Sequence, residues 1–187
     1  MIEKVFSTPL YSTISENNHI QNEMDACIDK VNFHYIEQWG KTHKISDVNI
    51  SDVISYYNLE NFKIFLNEHI VKYCNELDYK PPKEYRLESW FTKFNKDDYG
   101  HVHSHGYADI SGVYYYKTNG NDGDLAFYTP VINSETSMVF GKDNTWIHKP
   151  AIGKLIMFPG YLKHGIFRNV TTSERISISF NIYFNKF

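Results

Sequence analysis

Hydrophobic positions along this chain change their period once, near Pro82, and the change divides the sequence in two. Before it, Ile20, Met24, Cys27, Ile28 and Val31 recur at helical spacing behind Asn17 and Asn18, which can cap a helix. A second helix is predicted from Leu59 to Leu77, with Phe62, Leu66, Ile70, Tyr73 and Leu77 on one stripe and Pro81-Pro82 as its stop. Ahead of both, residues 4–14 hold a short strand, Val5 to Tyr11, interrupted by Pro9. Proline has no N–H for a ladder, so this strand belongs on an edge. Between the helices, residues 39–55 carry Gly40, His43, Ser46, Asp47, Asn49 and Ser51 and read as a surface loop.

After Pro82 the pattern alternates. Strands are predicted over Tyr85–Phe94, Ile110–Tyr116, Asp124–Tyr128, Thr145–His148, Lys154–Phe158 and Arg175–Phe184, with polar turns at residues 95–100 and 119–123. Residues 129–145 are irregular. Two helices followed by about six to eight strands define an α+β chain whose core is sheet on sheet, closed by antiparallel strands, with the helices covering one outer face. The whole of 1–187 is expected to be one domain, with residues 1–82 as strand and helices and 83–187 as the β core.

Composition changes this picture little. Aromatic residues make up 17% of the chain, which suits pleated, half-buried surfaces. Nineteen basic and 22 acidic residues are mixed along the sequence for a net charge of −3, so no basic patch points to nucleic acid. Cys27 and Cys74 sit inside helical patterns and read as small buried hydrophobes. The start, Met1 to Phe6, has no apolar signal segment, and no run approaches the roughly 18 apolar residues of a membrane span. The expectation is a cytoplasmic protein in a reducing compartment. The edge near Pro9 offers a surface for a homodimer.

The chemistry concentrates in His101-Val-His103-Ser-His105. In an extended run, side chains at i, i+2 and i+4 point one way, so three imidazoles would share a face. Neutral imidazole is the commonest protein metal ligand. Far downstream, His164 precedes Arg175, which opens an alternating strand and shares its face with Ser177. An open Fe(II) site uses three protein ligands on one face, usually two histidines and a carboxylate. Here His103 and His105 stand where H-x-D is expected, and His164 would be the distal ligand. Asp109 and His101 are rivals to His105. The guanidinium of Arg175 suits bidentate binding of a carboxylate.

These residues fall in blocks that resemble the 2-oxoglutarate/Fe(II)-dependent oxygenases of phages and bacteria, within the double-stranded β-helix superfamily. His103-Ser-His105 with Ile110-Ser111-Gly112-Val113-Tyr114-Tyr115 resembles that family's H-x-H-P…L-S-G-V-Y-Y block, with Gly106 in place of the proline. Gly123 to Phe127 is similar to its G-x-L-x-F turn and strand. Gly153 to Pro159 with His164 is similar to G-x-L-I-x-F-P…H, and Arg175 to Asn181 to R-I-S-I-S-F-N. Val5 to Tyr11 resembles the family's opening. The resemblance implies a jelly-roll or cupin-like barrel and a non-haem oxygenase that hydroxylates a substrate with O₂, coupled to decarboxylation of 2-oxoglutarate to succinate. It implies Fe(II) on His103, His105 and His164, and 2-oxoglutarate held by Arg175 and Ser177. Tyr114 or Tyr116 would add a hydroxyl to that cosubstrate. The primary substrate is not legible. Two other readings use the same residues: a cupin-like isomerase or Zn-binding barrel, which would not need Arg175, and a non-catalytic module that keeps the fold.

Overall fold

The computed structural model describes residues 7–131, 138 and 144–184. Val5 and Phe6 of the expected first strand, and most of the irregular stretch before Thr145, lie outside the described residues. The chain opens with β1 (Tyr11–Ile14) and α1 (Asn18–Cys27). Two short strands follow, β2 (His34–Tyr35) and β3 (Lys44–Ile45), then α2 (Val53–Tyr56) and the long α3 (Glu60–Glu76). After these come β4 (Tyr85–Phe94), β5 (Gly100–His103), β6 (Ile110–Lys117) and β7 (Leu125–Tyr128). The last strands are β8 (Thr145–His148), β9 (Lys154–Pro159), β10 (His164–Ile166) and β11 (Arg175–Phe184).

The helix starts have side-chain causes. Asn17 accepts the His19 N–H at 2.9 Å and caps α1. The first turn of α3 is capped from another helix: the Glu23 carboxylate accepts the Asn61 and Phe62 N–H groups at 2.7 and 3.1 Å. The end of α3 corrects the expectation that Pro81-Pro82 stops it. Asp78 adopts a left-handed conformation, and Tyr79 N–H turns back to the Cys74 carbonyl at 3.0 Å, so the helix closes several residues before the prolines.

Residues 39–55 are not a surface loop. Thr42, Ile45, Ser46, Val53 and Ile54 are buried, and the segment supplies β3 and α2. Its buried polar groups are spent on partners within the fold. Ser46 exchanges hydrogen bonds with Phe91 through its N–H and hydroxyl at 3.0 and 3.1 Å, and Asp52 accepts from Ile54 N–H and the Ser89 hydroxyl at 3.0 and 2.6 Å. Polarity here satisfies a buried strand edge rather than water.

Among the described residues the strands form two antiparallel sheets: a major sheet in the order β1-β9-β6-β11-β4-β3-β2 and a minor one in the order β5-β10-β7-β8. Alternation divides the major sheet cleanly. From β11, Ile176, Ile178, Phe180 and Ile182 join Ile20, Met24, Phe62, Leu66 and Ile70 of the helices in the larger core. From β6 and β9, Val113, Tyr115, Ile156 and Phe158 face the other way and meet Leu125 and Phe127 of the minor sheet. Gly112 has no alternative residue, because a Cβ there would lie 2.3 Å from the Phe180 ring. Cys27 and Cys74 are buried free thiols on the helix side. Among the described residues, no helix is long and apolar enough to cross a membrane.

Candidate metal centre and its cavity

Between the sheets lies a cavity of about 690 Å³. On its minor-sheet wall, β5 and β10 are antiparallel neighbours that place His103 directly opposite His164. His105 stands just past the end of β5, where its backbone N–H donates to the Gly160 carbonyl at 2.8 Å and turns the chain inward. The three rings then lie 4.5–5.1 Å apart between centroids. One ligand nitrogen from each falls within 4.8 Å of the others, a grouping that could hold one metal ion.

Two of the three tautomers follow from their partners. His103 Nδ1 lies 2.7 Å from the His101 carbonyl, and His164 Nδ1 lies 2.9 Å from the Leu162 carbonyl. A carbonyl only accepts, so each Nδ1 carries the proton and each Nε2 keeps a lone pair. His105 Nδ1 instead meets the side-chain amide nitrogen of Asn181 at 3.3 Å. Burial, and then the neighbouring His103, pulls the His164 pKa down to about 3 and that of His105 to about 4. Both imidazoles are therefore neutral at ordinary pH, the form that ligates.

The rival residues are employed elsewhere. Asp109 accepts the Phe184 N–H at 2.8 Å and donates its own N–H to Ile182, clamping the end of β11. His101 is exposed at the cavity mouth, edge-on to Tyr99, and stands outside the grouping.

Arg175 is fully buried, with its guanidinium 4.0 Å from the centre of the Phe94 ring, its cross-strand neighbour. Nη1 donates to the Gly123 carbonyl at 2.7 Å, while Nε and Nη2 have no hydrogen-bond partner among the described residues. Leaving a buried donor unpaired costs about 1–3 kcal/mol, more when it is charged. Two such donors on one planar fork match a carboxylate. Gly123 is required here: its φ is +106°, and a Cβ would sit 2.4 Å from the Phe167 carbonyl oxygen. Ser177 does share the Arg175 side of β11, but its hydroxyl is paired with Thr92 Oγ1 at 2.7 Å. Both residues lie just behind a cavity wall made by Thr92, Phe94 and Tyr115.

The expected tyrosines face the wrong way. Tyr114 packs on Phe62 in the helix-side core, and Tyr116 donates to Asp25 of α1 at 2.6 Å. Strand parity puts the residue between them, Tyr115, into the cavity wall, 5.8 Å from the Arg175 guanidinium. The signal was present in β11, where a polar cavity face and an apolar helix face were both legible, but pairing β11 with β6 was needed to transfer the phase. Asn181 carried the same signal, because it shares the parity of Arg175 and Ser177. His43 had no such signal. It lies in the polar segment 39–55, yet stacks on Phe94 at 4.6 Å and lines the cavity.

Comparison with known proteins then decides the family. The sequence profile of the family described as "Putative 2OG-Fe(II) oxygenase" matches residues 88–181, half of the chain, and spans all three histidines and Arg175. The chain belongs to that family. It is a 2OG-Fe(II) oxygenase, and such enzymes use Fe(II), 2-oxoglutarate and O₂. No curated protein matches it in sequence. Among solved structures, a prolyl-4-hydroxylase from Pseudomonas putida is similar, with a TM-score of 0.64 and 12% identity over 96% of this chain and 95% of that one. HygX from Streptomyces hygroscopicus, crystallised with nickel and 2-oxoglutarate, also scores 0.64 at 12% identity over 96% of this chain and 84% of its own. An oxidoreductase of the 2OG-Fe(II) oxygenase family from Burkholderia pseudomallei reaches 0.68 at 12% identity, covering 93% and 84%. At that identity the likeness speaks for the fold, the double-stranded β-helix, with the two N-terminal helices packed on its major sheet. The oxygenase's donor set and its half-partnered guanidinium are chemically suited to a divalent metal and a dicarboxylate.

Proposed function

We propose that His103, His105 and His164 are the iron ligands of this oxygenase, each through Nε2, and that Arg175 receives the distal carboxylate of 2-oxoglutarate. The observation that carries this reading is the pairing of opposites in one cavity. Three imidazoles gather beside the minor sheet, and a fully buried guanidinium with two unpaired nitrogens waits behind the opposite wall. Bound there, Fe(II) and 2-oxoglutarate supply oxidation of a C–H bond by O₂, coupled to decarboxylation of the cosubstrate to succinate. The protein's own contribution is position. The His101 and Leu162 carbonyls hold two imidazoles in the ligating tautomer, while Gly123 and Phe94 fix the guanidinium plane. Ser177 and Thr92 present paired hydroxyls beside Arg175, one of which can turn to the carboxylate.

Tyr115 takes the place first expected for Tyr114 or Tyr116. Burial pushes its hydroxyl up to about 12, so it stays protonated and available as a donor. Three neutral ligands leave the metal its full double charge, whereas a carboxylate ligand would cancel part of it. The cosubstrate's carboxylates would then be the counter-charge, which couples cosubstrate binding to metal binding more tightly than in a site with an acidic ligand.

The reading takes residues 1–187 as one working unit. Its support is that β1 and β2–β3 extend the major sheet on which the helices pack. The position of β1 at the edge of the major sheet among the described residues supports pairing with a second copy, and the two buried thiols support a cytoplasmic home. The test is anaerobic reconstitution with Fe(II) and 2-oxoglutarate, watching for the visible charge-transfer band of the chelate. The band should vanish in His103→Ala and His164→Ala and weaken in Arg175→Ala. A band that survives intact in all three would overturn the assignment.

A further inference from the structure

We infer that Asn181 is the positioning residue that turns His105 into a metal ligand, through rotation of its side-chain amide. The inference rests on the histidine assignment above and adds a device to it.

His103 and His164 are locked by carbonyls, but His105 is not. Asn181 sits almost fully buried in the middle of β11, bridged between two groups that can each reverse roles. The Ser111 hydroxyl donates to its Oδ1 at 2.8 Å from the neighbouring strand β6, and its Nδ2 lies 3.3 Å from His105 Nδ1. An amide nitrogen cannot accept, so in this arrangement it donates to Nδ1. The His105 proton then resides on Nε2, and that nitrogen has no lone pair to offer.

A half-turn of the amide reverses its roles toward His105 and Ser111. Oδ1 then faces Nδ1 and accepts its proton, and Nε2 is left with a free lone pair. Nδ2 faces Ser111, whose hydroxyl can accept as readily as it donates. Each arrangement keeps one hydrogen bond to His105 and one to Ser111, and a bound metal, which needs the Nε2 lone pair, selects the second. The site would therefore have two preset ligands and one that is enlisted on binding.

The experiment uses the full chain and Zn(II), which is diamagnetic and makes no demand on turnover. Long-range ¹H–¹⁵N spectra read the ring tautomers, and calorimetry reads Zn(II) affinity. In the metal-free protein, His103 and His164 should be protonated on Nδ1 and His105 on Nε2. Saturation with Zn(II) should move the His105 proton to Nδ1. Asn181→Leu should weaken Zn(II) roughly 10–100-fold, the usual penalty for removing a ligand's hydrogen-bond partner. Asn181→Asp, which accepts but cannot donate, should show the Nδ1 proton before metal is added and should bind Zn(II) at least as tightly as the parent. The Asp variant keeps the test decisive if the Leu variant fails to fold: an Nε2 proton there, or weaker binding, overturns the inference. His105→Ala separates the two layers. If it loses Zn(II) affinity while Asn181→Leu does not, the orienting role is wrong and the histidine assignment stands. If His105→Ala binds as tightly as the parent, both fall.

Discussion

Along β11, Ile176, Ile178, Phe180 and Ile182 face the helices, and Arg175, Ser177, Ser179 and Asn181, one residue out of step, face the cavity side. The first set is apolar, interdigitates with α1 and α3, and leaves no polar atom to satisfy. The second set is polar, with Arg175, Ser177 and Asn181 buried and Ser179 half-buried, and two guanidinium nitrogens of Arg175 are unpaired among the described residues. Only the thickness of one backbone separates them. The difference teaches that stability and chemistry are carried by alternate residues of the same strand, so substitution should pull them apart.

The largest effect tests the cavity side alone. His164→Ala should abolish turnover of 2-oxoglutarate to succinate and lower Fe(II) affinity at least about 100-fold, while the metal-free protein still unfolds cooperatively. A variant that kept its metal would break the division. On the helix side, Ile178→Ala should cost about 2–5 kcal/mol in denaturant unfolding, yet leave Fe(II) affinity of the folded fraction unchanged. A change in metal affinity larger than the loss of folded protein would mean the two faces are coupled.

Arg175→Met sharpens the contrast, since it acts on β11 in the opposite sense. It should raise the KM for 2-oxoglutarate by about 10–100-fold, in line with loss of a charge-assisted bidentate contact. Unfolding free energy should hold or rise, because a buried, half-satisfied charge is replaced by an apolar chain of similar length. A marked loss of stability would assign Arg175 to the scaffold instead.

A smaller effect comes from His43. Burial, and then the nearby Arg175 charge, lowers its pKa to about 4, whereas the unfolded imidazole titrates near 6.5. Above that value both states are neutral and stability is independent of this group. As pH falls from about 6.5 to about 4, the unfolded chain takes up the proton first, so stability declines through that window, by on the order of 1–3 kcal/mol. His43→Phe should flatten the decline in thermal unfolding of the metal-free protein between those pH values. The smallest expected effect separates the tyrosines. Tyr116→Phe should cost about 0.5–1.5 kcal/mol by removing the bond to Asp25, with no change in 2-oxoglutarate affinity; Tyr115→Phe should do the reverse.

The change of period at Pro82 separated α1 and α3 from the longer strands, and β4, β6, β9 and β11 lie where alternation places them, while β2 and β3 lie before it. The segment 39–55 looks like a loop because Ser46 and Asp52 are loop-type residues, and only their partners on β4, the Phe91 N–H and the Ser89 hydroxyl, show otherwise. His103, His105 and Arg175 were legible because each sits in an alternating run with a chemical reason to be inside, and His164 because it follows the apolar run Lys154–Phe158. Tyr115 and His43 were not, since a run of three tyrosines has no phase of its own and a lone histidine in a polar stretch has no pattern.

By itself the sequence determined periodicity, and periodicity determines which residues share a face, because a strand repeats every two residues and a helix every 3.6. That settled the helix-covered sheet, the apolar side of β11 and the gathering of donors on few positions. What faces what was decided only in three dimensions. The pairing of β5 with β10 set His103 against His164, the register of β6 on β11 turned Tyr115 rather than its neighbours inward, and the same register laid Ser111 and Asn181 beside His105. Register depends on contacts between residues far apart in the chain, and a local pattern contains no information about its distant partner.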